Sequence, residues 1–396
     1  MGRLFVCDPA CVQSFGHNVV ALKYFRDYFK ADFSEVVALS CRLLPKADVD
    51  RNGFIPFFDF YYRSYLHAVD LTGYEPTPAS VDDLHYPDQL EMVATRDAER
   101  LLASFEVGAQ DSILFPHLDF YGVVGMINAL LRTPAAERPR LHLRFIGVME
   151  NATSTYRAPL EELCARLRAA LAEGVPVRVS AETPAYADHI AERLDEVVSV
   201  TGYPETGRQL PIPAEGPFVF YSPGAARHDK GFGLLREIYS EVRRRDHALS
   251  IRFVTQMLAD RDQMHHMQDT AQIYALPGVE LLPSHISEAR MLSAYERSHA
   301  VLLPYDLETY RLRGSAVMME AAFHGRPAIT FEGTAFADQI RHYGLGVVVP
   351  DTGAMIEAML RMAKAPRERL EQRAAQARYR FACDNAAAFR QWFALA

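Results

Sequence analysis

Short, strongly apolar runs alternate with helix-like stretches along almost the whole chain, and this alternation limits the fold more than any other feature. The first half contains the runs RLFVCD, EVVALSC, SILFP, LHLRFIGV and VPVRVSA. Between them lie stretches with helical spacing of apolar residues, such as Pro159 to Glu173 and Tyr186 to Asp195. Buried strands that alternate with helices are typical of a parallel, doubly wound sheet covered on both faces. The pattern therefore predicts an α/β fold.

A segment rich in proline and glycine, Pro204 to Phe218, interrupts the alternation and predicts a linker. The alternation then restarts with the runs FVFYS, SIRFVTQ, GVELLP, AVLLPY, PAITF and GVVVP. The chain has 396 residues, which is enough for two hydrophobic cores. We therefore predict two Rossmann-like domains, 1–207 and 216–384, and a last helix within 385–396 that returns to the first domain.

The overall charge argues against one class of partner. The formal net charge is -8, whereas proteins that bind nucleic acid usually carry a basic surface. We therefore expect no nucleic-acid partner. The basic exceptions are Arg243 to Arg245 and the arginine-rich segment 361–390. These two stretches fit either solvated helix faces or peripheral contact with an anionic membrane surface.

The cysteines and the hydropathy pattern indicate a cellular location. The five cysteines are scattered and form no CxxC pair, which is typical of reduced thiols in the cytosol. No apolar run reaches the roughly 18 residues of a membrane span, and the start MGRLFVCDPA does not resemble a signal peptide. We expect a cytoplasmic protein, at most in contact with the inner face of a membrane.

The second half opens with a strand, a loop and a helix that together suggest a phosphate site. In FVFYSPGAARHDKGFGLL, the loop contains Gly224, Arg227 and Lys230. Ligands of open α/β sheets bind beyond the carboxyl ends of the strands, and Arg and Lys there can donate charge-assisted hydrogen bonds to phosphate. The GxxxxGK[ST] pattern of a Walker loop is absent. From these residues alone, a surface loop with solvated charges is equally consistent.

One acidic residue interrupts the most apolar helix that the sequence predicts. The helix runs from Gly314 to His324, and Glu320 lies near its middle. A buried carboxylate normally has a partner, because the loss of hydration is costly. Free amides at Gly314 and Ser315 favour an anion at the helix start. Glu320 then either binds the ribose hydroxyls of a nucleotide whose phosphates lie there, or pairs with an arginine inside the fold.

Three segments together resemble the retaining GT-B glycosyltransferases of family-4 type, the glycosyl transferases group 1. They are GAARHDKG, HISEARMLSAYERSHAVLLPY and GSAVMMEAAFHGRPAITFEGT. The resemblance is specific between Phe218 and Pro350. It implies transfer of a sugar from a nucleotide-sugar donor to a hydroxyl of a glycan or lipid-linked glycan, as in polysaccharide biosynthesis. It also implies retention of the anomeric configuration, with no metal and no cofactor, because the nucleotide-sugar is a substrate.

The resemblance assigns roles to individual residues. Lys230 and Arg227 are expected to hold the diphosphate, and Glu320 the ribose. The other donor-binding residues that it implies are Gly16, His17, His285, Ile286, Gly314 and Ser315. For catalysis it implies His117, which follows a strand end, together with Asp306 or Glu308.

The chain departs from the family pattern at two positions. The family places a second Glu eight residues before the ribose-binding one, and Leu312 stands there, so Asp306 and Glu308 are the candidate substitutes. The family also places an Arg five residues before the Lys, where this chain has Ala225, so Arg227 is expected to serve instead. These departures leave two alternatives open: a nucleotide-sugar epimerase of the same fold, and a non-catalytic glycan-binding or scaffold protein.

A calcium-binding pattern also occurs in the first half. The segment DVDRNGFIPFFD, residues 48–59, has the acidic spacing of an EF-hand loop. Pro56 falls inside the pattern, and the preceding residues read as a strand with Pro45 rather than as a helix. We therefore expect no calcium site here.

Overall fold

The chain is divided into two compact units, Met1–Pro204 together with Ala387–Ala396, and Glu205–Ala386. The computed structural model describes residues 2–12, 17–59, 87–118, 120–146, 159–204, 207–224, 227–248, 250–257, 271–284 and 286–395. Each unit contains a parallel sheet with connecting helices, which confirms the predicted fold class.

The first unit contains a seven-stranded sheet in the order β3-β2-β1-β4-β5-β6-β7. Its strands are β1 (Leu4–Asp8), β2 (Val36–Cys41), β3 (Ile55–Phe58), β4 (Ser112–Phe115), β5 (Arg140–Phe145), β6 (Val177–Ala181) and β7 (Ser199–Val200). The described helices are α1 (His17–Tyr28), α2 (Lys46–Asn52), α3 (Pro87–Ser104), α4 (Phe120–Arg132), α5 (Pro159–Ala172) and α6 (Pro184–Leu194).

The second unit contains a six-stranded sheet in the order β10-β9-β8-β11-β12-β13. Its strands are β8 (Phe218–Ser222), β9 (Ile251–Gln256), β10 (Val279–Leu282), β11 (Ala300–Leu303), β12 (Ala328–Phe331) and β13 (Gly346–Val349). The described helices are α7 (Phe232–Arg245), α8 (Glu288–Arg297), α9 (Ala316–Phe323), α10 (Ala337–Tyr343), α11 (Thr352–Ala363) and α12 (Arg367–Phe393).

The strand order places a ligand crevice in each sheet. In both sheets the chain starts in the middle, runs to one edge and then returns to fill the other half, as in Rossmann folds. The order reverses between β1 and β4 in the first sheet and between β8 and β11 in the second. Ligands of such sheets bind beyond the carboxyl ends of the strands at this switch point. The loop after β8 therefore lies where a ligand is expected.

Apolar packing fixes the second sheet and with it that loop. Phe218, Phe220, Phe253 and Ile329 point into a core formed with the helices on one face of the sheet, and all four are fully buried. A parallel sheet needs such cover on both faces, which is why its strands read as almost continuous apolar runs.

The last helix is longer than the sequence predicts. The helix expected within 385–396 is the end of α12, which begins at Arg367, directly after Pro366. Neither proline nor glycine occurs between these bounds, so nothing in the backbone chemistry ends the helix earlier. Near its C-terminus, Phe393 packs on Phe29 with ring centroids 4.4 Å apart, within the first unit.

The segment with calcium-loop spacing forms regular structure. Residues 46–52 are the helix α2, Gly53 ends it in the left-handed conformation with φ 65°, and β3 begins at Ile55. Asp48 and Asp50 are held by Arg51 and Lys46, respectively. Across the described residues, no group of three or more His, Cys, Asp or Glu side chains is arranged to hold a metal ion.

Some arginines of the basic C-terminal segment have structural partners. Arg378 Nε donates to the carbonyl of Phe323 at 2.7 Å, and Arg380 Nη2 donates to that of Tyr343 at 2.6 Å. Among the described helices, none combines the length and the hydropathy that a bilayer crossing requires.

Candidate functional site

The loop that follows β8 lies close against the end of β11. Its last residues, His228–Lys230, form a short 3-10 turn that ends at Gly231. Gly231 has φ 76°, and a Cβ atom there would lie 1.9 Å from the carbonyl oxygen of Pro304. Only glycine fits this conformation and this close approach. The close contact fixes Lys230 beside the switch point of the sheet.

The ammonium group of Lys230 lies beside Gly224 and the first turn of α9. A Cβ atom at Gly224 would lie 2.8 Å from Lys230 Nζ and 3.4 Å from Val317 Cγ2. Burial lowers the pKa of Lys230 to about 8, and the nearby charge of Arg227 adds to this effect. Within the described part of the chain, no carboxylate lies within 4 Å of Lys230 Nζ. The arrangement suits an anionic ligand.

Arg227 is held by two partners through one of its nitrogens. Its Nη2 donates to Asp229 Oδ2 at 2.7 Å and to the Tyr310 hydroxyl at 3.1 Å. The Tyr310 hydroxyl also donates to Asp229 Oδ2 at 3.4 Å. The buried Nε of Arg227 has no hydrogen-bond partner in the part of the chain that the structure describes. The guanidinium group therefore has a fixed position and retains unused donors.

The start of α9 supplies free backbone amides at the same place. Ser315 caps the helix, and its Oγ accepts a hydrogen bond from the amide of Met318 at 3.1 Å. The helix dipole and the remaining first-turn amides favour an anion. Gly314 and Ser315 are both buried, and Val317 of the same first turn lies beside Gly224 of the loop.

Glu320 lies in the middle of α9 and is half-buried. Burial raises the pKa of Glu320 to about 7, while the charge of Lys230 and the hydroxyl of Tyr295 oppose this rise. Among the described residues, no arginine or lysine nitrogen lies within 4 Å of the carboxylate. The internal ion pair that was the alternative explanation for Glu320 is therefore not found in the described part of the chain.

An open pocket at the carboxyl ends of β8, β9 and β11 brings Gly224, Arg227 and Lys230 together, whereas Glu320 and the start of α9 are not part of its lining. Buried polar atoms without hydrogen-bond partners surround it, including the hydroxyls of Tyr305 and Thr255. Its lining consists of Ser222, Pro223, Gly224, Arg227, Lys230, Phe232, Leu235, Thr255, Leu302 and Tyr305. A pocket with convergent donors and unpaired buried polar atoms is the usual form of a ligand site.

The acidic candidates Asp306 and Glu308 lie in the exposed segment between β11 and α9. The amide of Asp306 donates to the carbonyl of Asp229 at 2.9 Å, and Asp306 Oδ2 accepts from the amide of Thr309 at 2.7 Å. Leu312 is half-buried. Asp306 is thus attached to the loop that carries Lys230, whereas no hydrogen bond or ion pair with another described residue orients the side chain of Glu308.

His117 lies at the carboxyl end of β4 in the first unit and is buried. Its Nδ1 lies 3.5 Å from Oδ2 of Asp8, the buried last residue of β1. Asn18 Nδ2 and the amide of Ala10 donate to the same carboxylate. The sequence analysis missed Asp8, although an Asp at a strand end followed by proline is a usable signal.

Four donor-binding candidates remain, and the structure describes three of them only in part or not at all. Gly16 and His285 lie outside the described residues, and only the backbone of His17 is described, as the first residue of α1. Ile286 is half-buried and lies two residues before α8.

The sequence analysis also missed the tyrosines of the second unit. Tyr310 contacts Arg227, and Tyr295 lies beside Glu320. Tyr295 is fully buried, and its ring packs against that of Tyr221 at 5.2 Å. Tyr295 lies on the amphipathic helix α8 and has the pattern of a core residue, whereas Tyr310 lies among charged residues between Glu308 and Arg311, and neither position carried a signal for its role.

Comparisons with known proteins agree with this geometry. Residues 217–365 match the family model described as glycosyl transferases group 1. No curated protein sequence matches the chain.

Solved structures match the chain over nearly its full length. The UDP-forming α,α-trehalose-phosphate synthase of Burkholderia xenovorans, in complex with glucose-6-phosphate, is 12% identical with a TM-score of 0.64, covering 99% of each chain. The sucrose-phosphate synthase of Thermosynechococcus elongatus is 14% identical with a TM-score of 0.63, covering 100% of each chain.

A third structure matches over part of its length. A mutant of S. aureus TarM in complex with fondaparinux, α-GlcNAc-glycerol and UDP is 13% identical with a TM-score of 0.56, covering 76% of this chain and 58% of that one. At these identities the likeness establishes the fold. The chain thus has two parallel-sheet α/β units that match GT-B structures, and residues 217–365 match the family model of the glycosyl transferases group 1.

Proposed function

We propose that this chain is a retaining, metal-independent glycosyltransferase. It moves a sugar from a nucleotide-sugar donor to a hydroxyl of a glycan or lipid-linked glycan. One observation carries the proposal: the ammonium group of Lys230 lies beside Gly224 and the first turn of α9, within the segment that matches glycosyl transferases group 1. A cation, a close-approach glycine and free helix amides together suit the diphosphate of a donor.

In this proposal the diphosphate is the leaving group. As its bond to the anomeric carbon breaks, negative charge grows on the phosphate oxygen. Lys230, Arg227 and the first-turn amides that follow Gly314 and Ser315 stabilise this charge. In enzymes, removing one preorganised donor of this kind costs about 2.7–4 kcal/mol of transition-state stabilisation.

Glu320 binds the ribose in the same proposal. Its carboxylate is half-buried and lacks a cation within 4 Å among the described residues, so ribose hydroxyls are suitable donors to it. From the family resemblance we further propose that His285 and Ile286 bind the base and that Gly16 and His17 belong to the donor site. His117 contacts the transferred sugar, and Asp306 or Glu308 takes the place of the missing Glu at Leu312.

A transfer assay tests this function. The purified chain is incubated with a panel of nucleotide-sugars, without acceptor and with glycan or lipid-linked acceptors, and the products are identified by mass spectrometry and NMR. We expect release of nucleoside diphosphate, an unchanged anomeric configuration in the product and activity that persists in EDTA. Interconversion of donor sugars without transfer would identify an epimerase, and binding without any turnover would identify a non-catalytic protein.

Cytoplasmic location and peripheral membrane contact belong to the same proposal. Several exposed arginines of α12 and its preceding segment, among them Arg361, Arg369 and Arg373, lie on one sequence stretch. Lipid-linked acceptors are presented at membrane surfaces, and a basic surface is attracted to anionic lipid. Co-sedimentation of the chain with anionic vesicles, and its absence with neutral ones, is the expected result.

A further inference from the structure

We propose that Tyr310 is a positioning residue that holds Arg227 in the orientation needed to bind the diphosphate. This inference rests on the proposed function, because it assigns Tyr310 a role at the same site. The family pattern places its Arg at the position of Ala225 in this chain, so Arg227 approaches from a different point of the loop. For an arginine at a different position, other side chains of this chain must hold the guanidinium group in place.

The contacts of Arg227 show where this support comes from. Both of its side-chain hydrogen bonds use Nη2: 2.7 Å to Asp229 Oδ2 and 3.1 Å to the Tyr310 hydroxyl. Both partners hold Nη2 of Arg227. Its Nη1 has no hydrogen-bond partner among the described residues. Tyr310 and Asp229 thus fix the plane of the guanidinium group and leave donors for a phosphate.

Tyr310 is itself rigid, which a positioning residue must be. It is buried, and its ring lies 4.6 Å from that of Tyr305 and 6.1 Å from that of Phe336. Its carbonyl accepts a hydrogen bond from the amide of Ala335 at 2.8 Å. The hydroxyl therefore has a defined position before any ligand arrives.

The hydroxyl also joins two segments that carry different parts of the proposed site. Asp229 belongs to the loop with Lys230, and Tyr310 to the segment with Asp306. A second link joins the same segments, because the amide of Asp306 donates to the carbonyl of Asp229 at 2.9 Å. Since this backbone link and the ring packing persist without the hydroxyl, we expect Tyr310→Phe to keep the fold and to remove one of the two hydrogen bonds that hold Arg227.

A double-mutant cycle tests the inference. Affinities for ADP, GDP, UDP and inorganic pyrophosphate are measured by calorimetry for the native chain, Tyr310→Phe, Arg227→Ala and the double variant. We expect Tyr310→Phe to weaken diphosphate binding about threefold to tenfold in the native background, and less than about 1.5-fold in the Arg227→Ala background. Side chains that act through one another show such non-additivity. Melting temperatures of the empty variants are recorded alongside.

The control is Tyr343→Phe, another tyrosine of this unit whose hydroxyl lies beside an acid, Asp384, away from the pocket. It should bind diphosphate as the native chain does. Equal losses from Tyr310→Phe in both backgrounds, or no loss in the native background, would overturn the inference while the phosphate role of Arg227 stands. Two other results would contradict the proposed diphosphate site itself: Arg227→Ala binds diphosphate as tightly as the native chain, or the native chain binds no diphosphate. Either result would also overturn the inference about Tyr310.

Discussion

At the scale of single residues, Glu320 has the most informative environment. Its pKa is raised to about 7, mainly by burial, so the carboxylate titrates near neutral pH. The pKa in the unfolded chain is lower, at about 4.3. This group therefore favours the folded state most below about pH 4.3, and that contribution is lost as the pH rises towards 7.

The first prediction concerns Glu320→Gln. The amide is nearly isosteric, so the fold should remain, and the pH-dependent loss of stability above pH 4.3 should disappear. The melting temperature relative to the native chain should then be higher at pH 8 than at pH 5. Nucleotide affinity should fall, because an amide accepts weaker hydrogen bonds from ribose hydroxyls than a carboxylate does. An empty protein that melts much earlier, with affinity intact, would instead identify Glu320 as a structural residue.

The second prediction concerns the tyrosine beside Glu320. The hydroxyl of Tyr295 lowers the pKa of Glu320, against the dominant effect of burial. In Tyr295→Phe, this pKa should rise above about 7, and the midpoint of the pH dependence of nucleotide affinity should move up with it. Tyr221→Phe is the matched control, because its ring packs on Tyr295 but its hydroxyl is not among the groups that shift the pKa of Glu320. An identical midpoint in Tyr295→Phe and the native chain would contradict this role.

Some of these site residues could be predicted from the sequence and others could not, for a physical reason. Lys230 and Glu320 were singled out because a charge that interrupts an apolar pattern is conspicuous. Tyr295 was missed because its ring fits the buried face of α8, and Tyr310 because a tyrosine among charged residues is typical of a loop, while the function we propose for both lies in the hydroxyl. The Arg227–Asp229 pair was missed because spacing alone does not determine which neighbouring charges meet.

At the scale of elements, the alternation of strands and helices predicted a parallel sheet in each unit, but it did not predict β3 or the order of the strands. The bounds of α12 did not follow from any local signal either. Its 27 residues contain no breaker, so only the packing at its end limits it. Similarly, the calcium-like spacing of residues 48–59 was dismissed from its proline and its flanking residues, and the segment forms α2 and β3.

The third prediction concerns the end of α12. His142 on β5 is fully buried and stacks on Phe393 with centroids 3.9 Å apart, and neither ring nitrogen has a hydrogen-bond partner among the residues that the structure describes. Burial lowers the pKa of His142 to about 3, and the charges of Arg178 and Arg140 add to this. The pKa is therefore below the unfolded value of about 6.5, and stability should be lost as the pH falls from 6.5 towards 3.

Trp392 provides the measurement, because it is the single tryptophan of the chain and lies 5.4 Å from His142. Its fluorescence, followed during denaturation at pH 7 and pH 4.5, should report weaker packing of the helix end at the lower pH. In His142→Phe, the stability reported by Trp392 fluorescence should differ less between pH 7 and pH 4.5 than it does in the native chain. If the stability changes equally between pH 7 and pH 4.5 in the native chain and in His142→Phe, groups other than His142 cause the loss of stability in acid.

At the scale of the whole molecule, the fold is established and the activity is a proposal. Full-length structural likeness at 12–14% identity supports the GT-B fold, and the match to glycosyl transferases group 1 covers only 217–365. The central claim is therefore that the second unit binds a nucleoside diphosphate through the loop after β8. Lys230 is the residue on which this claim depends most.

The most direct test is calorimetric titration of the native chain and Lys230→Ala with ADP, GDP and UDP. The lost charged hydrogen bond contributes more than about 1.4 kcal/mol, so the affinity for the best ligand should fall at least about tenfold. Lys364→Ala, at an exposed position of the same unit, is the control and should bind as the native chain does. Equal affinity in the native chain and Lys230→Ala would contradict the account.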